Sequence, residues 1–237
     1  MFKQVLVLYS FVLITQISSF TLVNLHAPID DAKALLQNLS ELALGNILVA
    51  HDQINDLGSN LAAFSTDVIF KSELDIQEET QAIDEEISNF KSLADAVNKN
   101  ISECLDGNED KLKKLPETFR KQIRECVAGV QKESDSLLSK VFYNIDIMMN
   151  VVHDLNFQLG QCADDDNSCI SAVVDKINEA MENIPLKIKV EINSASDQVE
   201  LYQAKIQQCA DSGVAGYVEN VTDIMSDVTV CVNEIIS

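Results

Sequence analysis

The chain has 237 residues, 46% of them hydrophobic, which is enough to bury one or two cores. Its 38 acidic and 17 basic residues give a net charge of −21, which would repel both nucleic-acid phosphates and anionic membrane surfaces. Seven glycines, three prolines and no tryptophan indicate long helices with few interruptions.

The first residues have the pattern of a secretory signal peptide. Lys3 precedes an apolar run over residues 5–14, and the small residues Ser18 and Ser19 follow it. We predict that residues 1–19 are removed, which would change the net charge from −21 to −22 through the loss of Lys3. An apolar run of about ten residues is too short to span a bilayer, and no later run reaches the roughly 18 required. The expected product is a secreted, extracellular protein without a membrane span.

Along the rest of the chain, apolar residues recur every three or four positions, which is the period of an amphipathic helix. The stripes that follow this period cover residues 36–61, 76–104, 119–162, 169–209 and 217–235. We expect "DLGSN" (56–60) to end the first helix and "LDGNED" (105–110) to end the second. Pro116 suits the first position of the third helix, where its missing N–H costs nothing.

The segment "LKIKVEI" (186–192) alternates with a period of two, as a strand does. Because it is short and lies inside a helical pattern after Pro185, we interpret it as part of a kinked helix. Each apolar stripe must be buried against another, so the predicted fold class is all-α: an elongated antiparallel bundle of about five helices. The predicted organisation is a signal peptide (1–19), an N-terminal helical segment (20–63) and a disulfide-braced bundle domain (64–237).

An even number of cysteines in an exported chain predicts disulfides, here three from Cys104, Cys126, Cys162, Cys169, Cys209 and Cys231. Cys162 and Cys169 flank an aspartate loop in "QCADDDNSCISAV" (161–173). No histidine lies near enough in sequence for zinc, the loop lacks the glycine and spacing of an EF-hand, and the pair is not C-x-x-C. We therefore expect a disulfide across a helix–loop–helix joint, with Asn167 or Ser168 capping the second helix.

The other four cysteines form two units with equal spacing. Cys104 and Cys126 are 22 residues apart, and so are Cys209 and Cys231. A bond between Cys209 and Cys231 is difficult, because the helix should carry Cys231 roughly 25 Å from the turn after Cys209, whereas bonded cysteines have Cα atoms about 6 Å apart. The equal spacing favours units side by side, with Cys104–Cys209 and Cys126–Cys231 bonds. Pairing within each unit remains the alternative.

Three N-x-[ST] sequons predict N-glycosylation at Asn38, Asn100 and Asn220. No pattern predicts catalysis, because the sequence has no G-x-S-x-G, no H-E-x-x-H and no phosphate-binding glycine loop. The many paired carboxylates are expected to be solvated rather than tuned for acid–base work. We therefore expect no enzymatic activity, no cofactor and no metal site.

Two stretches resemble a known family: "CLDGNEDKLKKLPETFRKQIREC" (104–126) and "IQQCADSGVAGYVENVTDIMSDVTVC" (206–231). In cysteine spacing and helical periodicity they are similar to the secreted insect proteins grouped with the tsetse EP midgut protein. The resemblance covers roughly residues 65–237, and this chain lacks a Glu-Pro repeat tail. It implies an exported insect protein of the gut or haemolymph, in some cases linked to immune responses, and it supplies no catalytic residues.

These patterns favour a secreted, non-enzymatic protein that binds an undefined ligand or takes part in immune responses. One alternative is a carrier that holds an apolar small molecule or lipid between its helices. Another is a structural or coat protein that self-associates through coiled-coil faces. The expected partner is therefore an unknown protein, an apolar ligand or a second copy of the chain, and not a nucleic acid.

Overall fold

The computed structural model describes residues 28–237, and this part of the chain is helical throughout apart from short links, with no strand. The all-α prediction is confirmed. The proposed signal peptide, residues 1–19, and the first residues of the proposed segment 20–63 lie outside the described residues.

The first helix, α1 (Pro28–Ala96), crosses the whole length of the molecule. Pro28 occupies the first helical position, where a residue without an N–H is tolerated, and acidic residues follow in the first turn. At the other end Asn98 has a φ of 53°, and Lys99 N donates to Ala94 O at 2.9 Å. This left-handed cap satisfies the last carbonyls and ends α1.

The expected end of the first helix at residues 56–60 is wrong. Buried side chains continue at helical spacing through this stretch, from Ile54 to Leu61 and Ser65, so packing keeps the chain helical despite Gly58. The predicted boundary between residues 63 and 64 therefore falls inside one continuous helix.

The chain then returns through three helices, α2 (Ser102–Leu105), α3 (Asn108–Asp146) and α4 (Met149–Gly160). The break expected at 105–110 is present, and Gly107 makes the turn between α2 and α3 with a φ of 71°. Pro116 does not begin the third helix as expected, because it lies buried inside α3.

The last helix, α5 (Asn167–Ile236), again crosses the whole molecule. The side chain of Asp166 accepts a hydrogen bond from Cys169 N at 3.0 Å, so this aspartate is the N-cap rather than the Asn or Ser expected. Residues 186–192 are helical, which excludes the strand interpretation.

The two helices predicted before and after "CADSGVAG" are one helix, because two glycines serve packing rather than a turn. A Cβ atom at Gly213 would collide with the side chain of Ile123, and one at Gly216 would lie 3.0 Å from Phe119 Cε1. These glycines allow α3 and α5 to approach closely.

Polar contacts between the helices show their relative directions. His51 Nε2 lies 2.8 Å from Asp146 Oδ1, while Lys91 Nζ lies 2.7 Å from Glu109 Oε1. Residue numbers thus rise along α1 as they fall along α3, so these helices are antiparallel. The fold is an up–down–up bundle of three long rods (α1, α3 with α4, and α5) plus the single turn of α2, so the expectation of about five helices is wrong.

The structure contains three disulfides, as predicted: Cys104–Cys231, Cys126–Cys209 and Cys162–Cys169. Their Cα–Cα distances are 5.6, 5.8 and 5.6 Å. The bond across the aspartate loop is confirmed.

For the other four cysteines the favoured pairing, Cys104 with Cys209 and Cys126 with Cys231, is wrong, as is pairing within each unit. Since α3 and α5 run in opposite directions, the first cysteine of one unit meets the last cysteine of the other. Equal spacing is compatible with parallel and antiparallel units alike. The favoured pairing required parallel units, whereas the chain reverses direction between them.

One apolar core runs along the axis of the bundle, with Tyr217 among its largest fully buried side chains. The Tyr217 hydroxyl lies 2.7 Å from Thr80 Oγ1, which links α5 to α1. Burial raises the pKa of Tyr217 above its usual 10.0, since the charged phenolate is poorly solvated there, and the hydrogen bond with Thr80 acts in the opposite direction.

Candidate interaction surface around α4

The rod formed by α3 and α4 is interrupted at Ile147 and Met148. Met148 N donates to Ile145 O at 3.1 Å, and Val151 N donates to Met148 O at 3.2 Å. These bonds span three residues instead of four, so the backbone is locally tightened. The interruption lies in the middle of the molecule's most apolar surface.

Among the described residues, 15 large apolar side chains are exposed, and nine of them lie at one level of the bundle. The contacts His51–Asp146 and Asn144–Glu191 align the three rods at this level. The belt residues span positions 143–157 on the return rod, 44–49 on α1 and 186–190 on α5, so the belt covers roughly 22 Å of a length of about 100 Å. We call this set the apolar belt; it consists of Leu44, Leu48, Val49, Tyr143, Ile147, Val151, Phe157, Leu186 and Val190.

Part of the belt lines a groove between α1 and α4. Leu44, Leu48 and His51 follow helical spacing on one face of α1, and the pairing of His51 with Asp146 directs this face towards the return rod. On α4, Met149, His153 and Phe157 share a face with a spacing of four.

We call these six side chains the α1/α4 groove. Its members differ in burial: Met149 is half-buried, whereas Leu44, Leu48 and Phe157 are 51%, 56% and 69% exposed. The ring of His51 stands edge-on to Phe142, with centroids 4.9 Å apart, at one end of the groove. The groove therefore has an apolar floor that solvent reaches.

The charged residues of α1 and α4 around the α1/α4 groove are all acidic, and the lysines at this level, Lys187 and Lys189, lie on α5. No Lys or Arg occurs in residues 34–70 of α1 or in residues 141–175 of the return rod and the following joint. Exposed carboxylates border the groove on both sides, and they are Glu41, Asp52, Asp146 and Asp154. The site is thus an apolar strip framed by negative charge.

The predicted glycosylation residues are all exposed, but the structure does not bring them together. Asn38 lies on α1 and Asn100 in the link after α1, where its Oδ1 accepts from Ser102 N at 2.9 Å. Asn220 lies on α5, and its Nδ2 donates to Gly216 O at 2.8 Å. Attachment of glycan at these positions stays a prediction.

Two further concavities are open surface grooves. One, of about 280 Å³, lies between α1 and α3 over Ile87 and Leu112. The other, of about 650 Å³, lies between α3 and α5 beside Leu137 and Tyr202. Neither is an enclosed chamber of the kind that would hold an apolar ligand between the helices.

Within residues 28–237, no three metal-binding side chains of His, Cys, Asp or Glu form a cluster. No helix in this part of the chain combines the length and apolar character needed to cross a membrane. The sequence matches no protein-family model and no curated protein.

The α1/α4 groove is not among the features predicted from the sequence, although a signal for it is present there. Residues 141–161 contain two charged side chains, Asp146 and Asp154, in a chain that is 23% charged. Tyr143 and Phe157 in this segment lie off the stripe that forms the core. Apolar residues in excess of the core stripe are a signature of a contact surface.

Proposed function

We propose that the protein is secreted and acts outside the cell by binding a partner protein, without catalysing a reaction. The disulfide-braced bundle is the scaffold, and the apolar belt around α4 is the contact surface. Three disulfides support an oxidising, extracellular compartment, because such bonds are rare in the cytosol.

The observation that carries this proposal is the concentration of exposed apolar side chains at one level of the rod. Single exposed apolar residues are ordinary, but a contiguous patch usually marks an interaction site. Nine such residues lie in the belt, whereas the much longer remainder of the described rod has six. The resemblance to the EP midgut group adds an insect gut or haemolymph setting with a link to immune responses.

The belt also supports a second candidate, a structural protein that self-associates. Two copies could bury their belts against each other, although both have the same strong negative charge. Sedimentation at several concentrations separates the candidates, because a protein that stays monomeric at high concentration does not self-associate. The carrier hypothesis has less support, since both further grooves are open.

The proposal is tested by expressing the full chain in insect cells. We expect the protein in the medium, with its N-terminus near residue 20 and no free thiol before reduction. Glycosidase treatment should increase the electrophoretic mobility of a glycosylated chain. A smaller increase for Asn38→Gln, Asn100→Gln or Asn220→Gln than for the wild type would identify that asparagine as a glycosylated one. Retention of the chain inside the cells with reduced cysteines would overturn the proposal.

A further inference from the structure

We infer that the α1/α4 groove binds a cationic amphipathic helix, an inference that rests on the proposed binding function and names the chemistry of the partner. The helix would lie along α1 and α4 with its apolar side on Leu44, Leu48 and Phe157. Its basic side chains would reach the carboxylates at the rim. The three-rod bundle would thereby gain a fourth helix.

The shape of the groove fits a helix. Its members repeat at a spacing of four on α1 (Leu44, Leu48) and on α4 (Met149, His153, Phe157), which is the pattern that a docked helix meets with residues at i, i+3, i+4 and i+7. The groove residues span positions 44–51 of α1 and 149–157 of α4, about 12 Å, which corresponds to roughly two turns of a partner helix. Phe157, at 69% exposure, is the largest apolar side chain among the six groove residues and the expected anchor.

The charge of the groove selects a basic partner. Glu41 and Asp52 lie on the α1 side and Asp154 on the α4 side, and no Lys or Arg within 34–70 or 141–175 offsets them. A protein of net charge −21 repels a second copy and an anionic lipid surface, but it attracts a cationic peptide and speeds its association.

The probe for a test is a labelled peptide of about 18 residues, built only from Leu and Lys so that the leucines form one stripe of a helix. Its binding to the full, disulfide-bonded protein is followed by fluorescence anisotropy at about 0.15 M salt. We expect Phe157→Ser and Leu48→Ser each to weaken binding about tenfold. The reversal Asp52→Lys with Asp154→Lys should weaken it further.

The matched control is Phe70→Ser, because Phe70 is also an exposed phenylalanine, 59% accessible, but lies on α1 outside the belt. We expect this variant to bind like the wild type. Unchanged binding in both Phe70→Ser and Phe157→Ser would show that the peptide is held by net charge alone, and equal weakening in both would show that it is not held in the groove; either result would overturn the inference. Equal binding of a Leu/Glu peptide would overturn it too.

Two other occupants are separate outcomes. A dimer that forms without peptide and dissociates in Phe157→Ser would assign the groove to a second copy. Flotation of the protein with vesicles of zwitterionic lipid, lost in the same variant, would assign it to a lipid surface. Either result contradicts the inference while leaving the secreted binding protein intact, whereas failure of secretion or oxidation would contradict the proposed function itself.

Discussion

The two halves of the rod are built differently. The braced half, near the end of α1, contains the disulfides that join α2 and α3 to α5, and the glycines at which α3 and α5 approach closely. The belt half, near the start of α1, contains the α3–α4 interruption and the apolar belt, with only the Cys162–Cys169 bond at its end.

The difference suggests a division of labour between stability and recognition. The braced half is held together by two long-range covalent bonds. The belt half leaves large apolar side chains in solvent, at a cost in solubility that only a partner would offset. The comparison leads to four predictions, given from the largest expected effect to the smallest.

Removing the disulfide of the braced half should have the largest effect. Replacing Cys104 and Cys231 by Ala should lower the free energy of unfolding by about 4–5 kcal/mol, against about 2 kcal/mol for Cys162 and Cys169. The reason is the sequence separation, 127 residues against 7, which sets how strongly each bond restricts the unfolded chain. Urea unfolding followed by circular dichroism measures both, and equal losses would remove this distinction between the halves.

In the braced half, α3 and α5 lie so close together that an added methyl group between them should lower the stability of the fold. We expect Gly213→Ala to lower the free energy of unfolding by about 2 kcal/mol, because the new Cβ must displace Ile123. Gly45→Ala in the belt half is the matched control, since a Cβ there meets nothing within 4 Å. It should raise the stability by up to about 1 kcal/mol through better helix propensity. A neutral Gly213→Ala would show that the helices separate easily.

Tyr217 should make the braced half sensitive to alkali. Tyr217→Phe removes the hydrogen bond with Thr80 and should cost about 1 kcal/mol at neutral pH. Burial raises the pKa of Tyr217, so its contribution is fully present below the usual value of 10.0 and is lost as pH rises through the higher folded value. The free energy of unfolding can be measured between about pH 8 and about pH 11, a range that brackets the tyrosine pKa. It should fall more steeply with pH for the wild type than for the Phe variant. Parallel curves would contradict this assignment.

The smallest effect on stability is expected in the belt. Phe157→Ser should change the free energy of unfolding by no more than about 0.5 kcal/mol, because this side chain is mostly in solvent. Thermal unfolding of the variant beside the wild type measures the change. A loss well above 1 kcal/mol would mean that Phe157 belongs to the core and is not free to meet a partner.

Much of this fold could be predicted from the sequence, because apolar side chains at helical spacing leave few alternatives to a bundle. The number of rods could not be predicted, because a glycine in the sequence is compatible both with a turn and with close packing inside a helix. The turn predicted after Cys209 covers Gly213, which instead lies inside α5 against Ile123. Only the neighbouring helix decides between the two roles.

The cysteine pairing failed for a related reason. Spacing along the chain does not state the direction in which two helices pass each other, and one reversal at the Cys162–Cys169 joint inverts the order. The α1/α4 groove was missed because its carboxylates are distant in sequence. Glu41 and Asp154 border one strip only after α1 and α4 pack together.

The bond between Cys104 and Cys231 closes a covalent ring around everything between these residues. If a protease cleaves one peptide bond anywhere inside that ring, the two pieces remain a single molecule held by sulfur. A cut within α1, which lies outside the ring, releases its leading part instead. In a digestive fluid the protein would therefore lose its first rod before the rest came apart, and nicked material would still migrate as one species until reduced.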